Sequence, residues 1–386
     1  MRIAIPKEIL HEEKRVAAIP ETVEKYRRQG YEVAVESGAG AGIFITDDDY
    51  KTAGAVIVKD VEELYKTADI ILKVKQPVFN DQKKKHEVDM MPENSTLVTF
   101  LHPAAPDCHE MVKKLKARNI RSFTMDGIPR ISRAQRMDAL TSMSTVTGYR
   151  SVLDAAMKLP KFVPMIGTAI GTIKPATVLV VGAGVVGLQA IATAKRLGAI
   201  VKAWDIREAA RTEAGSLGAK VEGFEVPSDL AIAAGGYARQ LPEDWLKKEQ
   251  QALESIIGQF DIVVLCALVP GSLAPRILTK EAVHKMKPGS VIVDVSIDQG
   301  GNCELTKAGS EVIEKGVMIC GLQNIPGRMA VHSSWLYANN MYHYIDNLFK
   351  NGSQKPDMDD EIVQASLVTL DGQIVFKPAL EAMGVK

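Results

Sequence analysis

Gly182-Ala183-Gly184-Val185-Val186-Gly187 limits what this chain can fold into more than any other segment. The apolar run Val178–Val181 precedes it, and the helical pattern Leu188–Leu197 follows. A strand, a tight glycine turn and a helix in that order form the opening of a Rossmann unit. The first glycine permits the turn and the second lets a pyrophosphate approach the backbone. The third lets helix and strand pack closely. The helix N-terminus then faces the anion. Asp205 ends the next apolar run, Ile200–Trp204, 18 residues beyond Gly187. A carboxylate there binds the hydroxyls of the adenosine ribose and repels a 2′-phosphate, so NAD is expected over NADP. Ile206 and Arg207 adjoin it, and Arg207 complicates this preference because a guanidinium accepts a 2′-phosphate. A second role open to Asp205 is that of N-cap before a helix over Arg207–Ser216.

Two later stretches belong with this turn. Ala267-Leu268-Val-Pro270-Gly271 follows another apolar run. It is expected to lie over the cofactor, the alternative being a plain Pro-Gly turn. Gly235-Gly236-Tyr237 sits among small residues. It reads as a loop that closes on the nucleotide with Tyr237 at its tip, or as an ordinary surface loop.

The rest of the chain repeats one rhythm. Apolar, β-rich runs occupy residues 2–5, 31–36, 55–58, 69–74, 96–101 and 120–124. Helical patterns separate them, such as Glu21–Gln29 and Asp107–Ala117. Alternating βαβ segments imply a parallel sheet covered on both faces. A long helix is expected from about Gln135 to Leu159. A second series then runs through Ile200–Trp204, Ile262–Ala267, Ser290–Val295 and Val317–Cys320. A further helix is predicted over Ser334–Phe349, returning to the first domain, and a polar surface loop over Asn351–Asp360. The expected architecture is α/β, with two doubly wound parallel-sheet domains, one of them Rossmann, joined by long helices with a cleft between them. A discontinuous flavodoxin-like domain takes 1–140 plus 331–386, and the Rossmann domain takes 141–330.

Composition removes several classes. Formal net charge is +0, so no basic excess exists for nucleic acid. Lys83-Lys84-Lys85 reads as a solvated helix face. Cys108, Cys266, Cys303 and Cys320 lack CxxC or zinc-ligand spacing, so no metal is expected. The start, MRIAIPKEIL, is too charged for a signal peptide. Residues 175–194 are apolar, but the fingerprint glycines mark them as strand and helix, and no transmembrane helix is expected.

One polar segment stands out, PRISRAQRMDALTSMSTVTGYR over 129–150. Arg130, Gln135 and Asp138 place fork donors, an amide and a carboxylate within nine residues. Such a set can hydrogen-bond an amide and a sugar diol together, which suits a nicotinamide and its ribose. The plainer reading is a loop capping a helix, with Asp138 in a surface ion pair.

These residues resemble a known family, the NAD(H)-binding alpha subunit of proton-translocating NAD(P) transhydrogenase. The likeness runs through RIAIPKE, VESGAG (35–40), PRISRAQ (129–135), GAGVVGLQAIATAKRLGA (182–199), MKPGSVIVD (286–294), GGNC (300–303) and NIPGR (324–328). It implies that Arg130, Gln135 and Asp138 hold the nicotinamide end of NAD(H). The family's serine three residues after that aspartate is Thr141 here, which keeps the hydroxyl. Tyr237 matches the family's mobile-loop tyrosine. The resemblance also implies direct hydride transfer to NADP(H) on a partner subunit, and a separate membrane subunit that conducts protons. With no membrane segment before Lys386, the chain looks like the split form, a separate subunit that is typically a homodimer. Its implied location is cytoplasmic, peripheral on the inner face of the membrane through its partners.

Alanine dehydrogenase is the nearest related family and offers the alternative. Arg15, Lys75, His102 and Asp298 match its catalytic set by motif. Arg15 and Lys75 would bind a substrate carboxylate and His102 would move the proton. Their plainer reading is inherited structure, with Arg15 and Lys75 in ion pairs. Residues 129–150 and GLQNIPGRMAVHSSWLY (321–337) follow the transhydrogenase pattern instead.

Overall fold

The structure is a computed structural model that describes residues 1–233, 236–269, 273–350 and 353–385. The chain forms two compact units, Met1–Met143 with Pro326–Lys386, and Ser144–Ile325.

In the first unit an eight-stranded sheet runs in the order Gln373–Ile374, Leu367–Leu370, Arg121–Thr124, Thr96–Thr99, Ile70–Leu72, Arg2–Ile5, Glu32–Glu36, Val56–Val58. The six strands from the first 125 residues are parallel, as their alternation with helices requires. Leu367–Leu370 joins antiparallel to Arg121–Thr124 and pairs with Gln373–Ile374. The sequence pattern does not predict these two edge strands. They are short, and the sheet they join is built from residues far away in the chain. The helix Ala330–Leu348 packs in this unit with Tyr337, Met341, Tyr344 and Ile345 fully buried.

In the second unit a seven-stranded sheet has the order Lys220–Glu222, Ile200–Trp204, Thr177–Val181, Ile262–Leu265, Val291–Asp294, Val317–Cys320, Glu311–Glu314. All pairs are parallel except the last. Ile262–Leu265 and Val291–Asp294 are buried throughout, the mark of strands covered on both faces. The chain order reverses on either side of Thr177–Val181. In such sheets a ligand crevice lies there, at the carboxyl ends of the strands.

Two local expectations need correction. The long helix is Ala139–Lys158, and Gln135 lies before it in a 3-10 segment, Ser132–Met137. The cause is a cap: Asp138 accepts the Thr141 N–H at 2.8 Å and so begins the helix one residue after itself. The three lysines are not on a helix. Lys85 opens a short strand paired with Phe79–Asn80, while Lys83 and Lys85 bond Asp60 and Glu62. Residues 353–359 form a largely exposed loop, as expected, which ends at a buried Asp360 bound to Arg133 and Lys350. Of the expected loop, 351–352 lie outside the described residues.

Candidate nucleotide site

Each fingerprint glycine meets a different physical demand. Gly182 sits at φ +94°, and a Cβ there would lie 2.8 Å from the Ala267 nitrogen. At Gly187 a Cβ would lie 1.9 Å from the Gly182 carbonyl oxygen, so helix and turn tolerate no side chain. Gly184 differs, because a Cβ there meets no atom within 4 Å. Backbone strain is absent too, with φ −81°. Packing therefore does not explain Gly184, and the open space beside its backbone has room for a pyrophosphate to approach. Gly184 is the N-cap of Val185–Arg196, and no side chain caps that helix. Its first N–H groups and positive dipole end suit an anion. Ala183, Val185 and Val186 complete the turn.

Asp205 is buried directly after the strand Ile200–Trp204. Its Oδ2 accepts the Ala183 N–H at 2.8 Å, which ties it to the glycine turn. Arg207 closes on the same carboxylate through Nε at 3.1 Å and Nη2 at 2.9 Å. Asp205 does not cap the following helix. That helix is Glu208–Ser216 with Arg207 at its N-cap, and Asp205 Oδ1 takes the Arg207 N–H instead. Arg207 also donates to the Gly236 carbonyl at 3.3 Å. Ile232 and Ala238 form an isolated bridge, and exposed Gly236 and half-buried Tyr237 directly precede Ala238. Gly235, Pro270 and Gly271 lie outside the described residues. Ala267 abuts the glycine turn, and Leu268 follows it.

Behind Asp205 sits a carboxyl that sequence reasoning missed. Glu249 is buried on the helix Glu243–Ile256 and accepts the Trp204 indole N–H at 3.0 Å. Burial pushes it up from 4.5 to about 7; the indole bond opposes this and the Asp205 charge adds to it. The folded protein thus holds this proton where the unfolded chain has lost it. Stability from this group is full below about pH 4.5 and falls as pH rises toward 7. The gap corresponds to about 3 kcal/mol. Glu249→Gln keeps an acceptor for Trp204. It is expected to be more stable than the parent at pH 8 and equal to it at pH 4.5, measured by urea unfolding. An identical difference at both pH values would refute the assignment.

In the polar segment Arg130 and Gln135 are exposed. Arg133 is exposed as well and bonds Asp360 at 2.6 Å and Glu361 at 3.1 Å, while Ala134 and Met137 are buried. Two arms of the segment therefore face outward on an anchored base. Asp138 makes the cap rather than a surface ion pair. Its Oδ2 accepts the Thr141 hydroxyl at 2.6 Å. That hydroxyl has donated its only proton, so toward a ligand it can act as an acceptor.

The alternative set is differently disposed. Arg15 is buried and grips Glu13 through Nε at 2.7 Å and Nη2 at 2.6 Å. A substrate carboxylate would have to displace Glu13 from that fork. Lys75 is half-buried, and its backbone N–H approaches Glu8 at 3.4 Å. His102 holds φ +47° and pairs with Asp126 at 2.9 Å. Asp298, in the other unit, is exposed and accepts from Gln323 at 2.8 Å.

Comparison with known proteins agrees with this geometry. The family described as "Alanine dehydrogenase/PNT, N-terminal domain" matches residues 4–147, and its "C-terminal domain" matches 151–377. The chain is 43% identical over 392 residues to an NAD(P) transhydrogenase alpha subunit of Rhodospirillum rubrum, covering 100% of both chains. A solved transhydrogenase from Sinorhizobium meliloti superposes with a TM-score of 0.82 at 37% identity, over 97% of this chain and 99% of that one. A solved L-alanine dehydrogenase reaches 0.81 at 26% identity, over 100% and 99%. Backbone shape does not separate these two relatives, whereas side-chain identity does.

Proposed function

We propose, because this chain belongs to the alanine dehydrogenase/PNT family and to its NAD(P) transhydrogenase alpha subunits, that it binds NAD(H) and exchanges hydride directly with NADP(H) on a partner subunit. A separate membrane subunit carries the coupled protons. The observation that carries this reading is the exposure of Arg130 and Gln135 on an anchored base, set against the burial of Arg15 on Glu13. An exposed grip presents a ring to another protein. A buried, carboxylate-filled fork gives an amino acid no place.

Gly182–Gly187 cradle the pyrophosphate, with Val185 and Val186 donating from the helix start. Asp205 takes the adenosine ribose, and Ile206, Arg207, Ala267, Leu268 and Tyr237 border it. Ribose hydroxyls must displace Arg207 from the Asp205 carboxylate, which also loosens the link from Arg207 to Gly236. Arg130, Gln135, Asp138 and Thr141 hold the carboxamide end. Thr141 accepts from the carboxamide because Asp138 takes its proton. Hydride transfer between two nicotinamides needs no general acid or base. It needs two rings about 3–3.5 Å apart, aligned and dry. The catalytic work of Arg130, Gln135 and Asp138 is therefore orientation.

The same reading makes the chain a homodimer. The antiparallel hairpin Ile166–Thr168 with Gly171–Ile173 supports this, since an isolated two-stranded hairpin is marginal in water. Ile170 at its tip is 100% exposed, and Phe162 and Met165 are exposed beside it. A monomer in sedimentation equilibrium would contradict the dimer. Among the described residues no helix is long and apolar enough to cross a membrane. In the proposed complex the chain works from the cytoplasmic side, held to the membrane by its partners.

Two cuvettes test the activity. One holds the purified chain with NADH, pyruvate and ammonia. The other holds the chain with an NADP(H)-binding partner component and both nucleotides. Turnover is expected in the second. Turnover in the first alone would overturn the reading in favour of an amino-acid dehydrogenase.

A further inference from the structure

The motif Gly300-Gly301-Asn302-Cys303 has no part in the hydride-transfer reading so far. Its surroundings are ordered by one buried carboxylate. Asp294 ends the strand Val291–Asp294 at 0% exposure. It accepts the N–H groups of Ser296 at 3.1 Å, Asn302 at 2.8 Å and Cys303 at 3.0 Å. Gly300 and Gly301 turn the chain back at φ +99° and +83°. A Cβ on Gly301 would lie 2.8 Å from Asp294 Oδ2, so the bend admits only glycine.

This bend delivers Asn302, itself 0% exposed. Its side chain bonds three backbone groups. Oδ1 accepts the Ala267 N–H at 3.0 Å. Nδ2 donates to the Ala267 carbonyl at 2.9 Å and to the Pro275 carbonyl at 2.9 Å. One acceptor and two donors at that reach describe a primary amide and no other short side chain. Ala267 is the residue whose nitrogen a Cβ on Gly182 would strike.

We propose that Asn302 is a positioning residue for NAD(H), clamping both sides of Ala267 so that its backbone stays seated against the glycine turn. This rests on the nucleotide site proposed above and adds to it the residue that holds the Ala267–Leu268 wall in place. The Asn302 amide is spent on backbone groups, so its proposed role is indirect. It acts through a wall that must be correct to a fraction of an ångström for the turn to receive a pyrophosphate.

The test uses the full chain and NADH, with affinity read by fluorescence titration. Asn302→Ala removes the amide from the part-buried Ala267 N–H and from the Ala267 and Pro275 carbonyls, leaving only the Ser296 hydroxyl at 3.4 Å on Ala267, and should weaken NADH about ten-fold. Asn302→Asp at pH 8 places a carboxylate against two carbonyl oxygens and should weaken it further. As pH falls, the protonated acid regains one donor beside its acceptor. Affinity of Asn302→Asp should then recover toward the parent, while Asn302→Ala shows no recovery. Val317→Ala, a core change in the same unit, serves as a stability control and should bind NADH normally. Parent-like affinity in both Asn302 variants, or a loss in Asn302→Asp without acid recovery, would overturn the proposal. A parent chain that fails to bind NADH would instead overturn the nucleotide site itself.

Discussion

Arg130→Ala is expected to cut hydride exchange with a partner's NADP(H) by about 100-fold, while NADH affinity falls less than about ten-fold. The difference follows from where the binding contacts lie. Gly182–Gly187, the start of the helix Val185–Arg196 and Asp205, the groups proposed to hold the pyrophosphate and the adenosine ribose, are untouched by the change. Arg130 sits on the segment proposed to hold only the nicotinamide end. Losing one fork donor lets that ring turn, and a misplacement of about 1 Å is costly in a reaction whose catalysis is alignment. Arg133→Ala is the matched control. Arg133 binds Asp360, Glu361 and Asn347. Asp360 also feels burial, which would raise its carboxyl, but hydrogen bonds from Lys350 and Arg133 hold it well below the usual range. Arg133→Ala should therefore lower thermal stability and impair affinity and transfer in parallel. Parallel losses in Arg130→Ala as well would make Arg130 another structural arginine.

A pair of glycine substitutions should separate folding from binding. Gly187→Ala puts a methyl group 1.9 Å from the Gly182 carbonyl oxygen. Backbone cannot retreat from such a contact, and a loss of roughly 3 kcal/mol or more is expected, read as a fall in melting temperature. Gly184→Ala has an ordinary φ and no neighbour within 4 Å. It should fold like the parent, with stability unchanged or slightly higher. Its methyl group, however, stands where a pyrophosphate must approach, and NADH affinity should fall about 100-fold. A Gly184→Ala variant that binds NADH normally would remove the pyrophosphate from this turn.

What the amino-acid order reveals follows the range of the forces involved. The strand Thr177–Val181, the glycine turn and its helix are local, and each residue type states its own requirement. The central strands Ile262–Leu265 and Val291–Asp294 are legible because burial on both faces makes them nearly continuous apolar runs, whereas the short parallel strand Lys220–Glu222, with sequence KVE, carries no such mark. The edge strand Glu311–Glu314, with sequence EVIE, lacks that mark because its pairing with Val317–Cys320 supplies the order. Leu367–Leu370 pairs with Arg121–Thr124 from the other end of the chain, and Ser122 meets Thr369 at 2.6 Å. No local pattern announces such a partner.

The site shows the same division. Asp205 is legible from its spacing, but Arg207 closing on its carboxylate is not. Asn302 is visible only as a member of a motif, since Ala267 lies 35 residues away. Glu13 on Arg15 is two residues distant and within reach of sequence reasoning. A carboxylate that close to a candidate carboxylate-binding arginine is a signal worth reading. Asp138 illustrates a conflict between levels: the side chain proposed to serve the ligand is also the helix cap that starts Ala139–Lys158. In that proposal ligand and helix would share one carboxylate, which would give the grip a rigid mount.

A crystal structure of the chain with NADH decides between the two sites. The carboxamide is expected within hydrogen-bonding distance, about 3 Å, of Arg130, Gln135, Asp138 or Thr141, with one face of the nicotinamide open to solvent. A ring remote from those four residues, or enclosed against Arg15, Lys75 and His102, would contradict this placement.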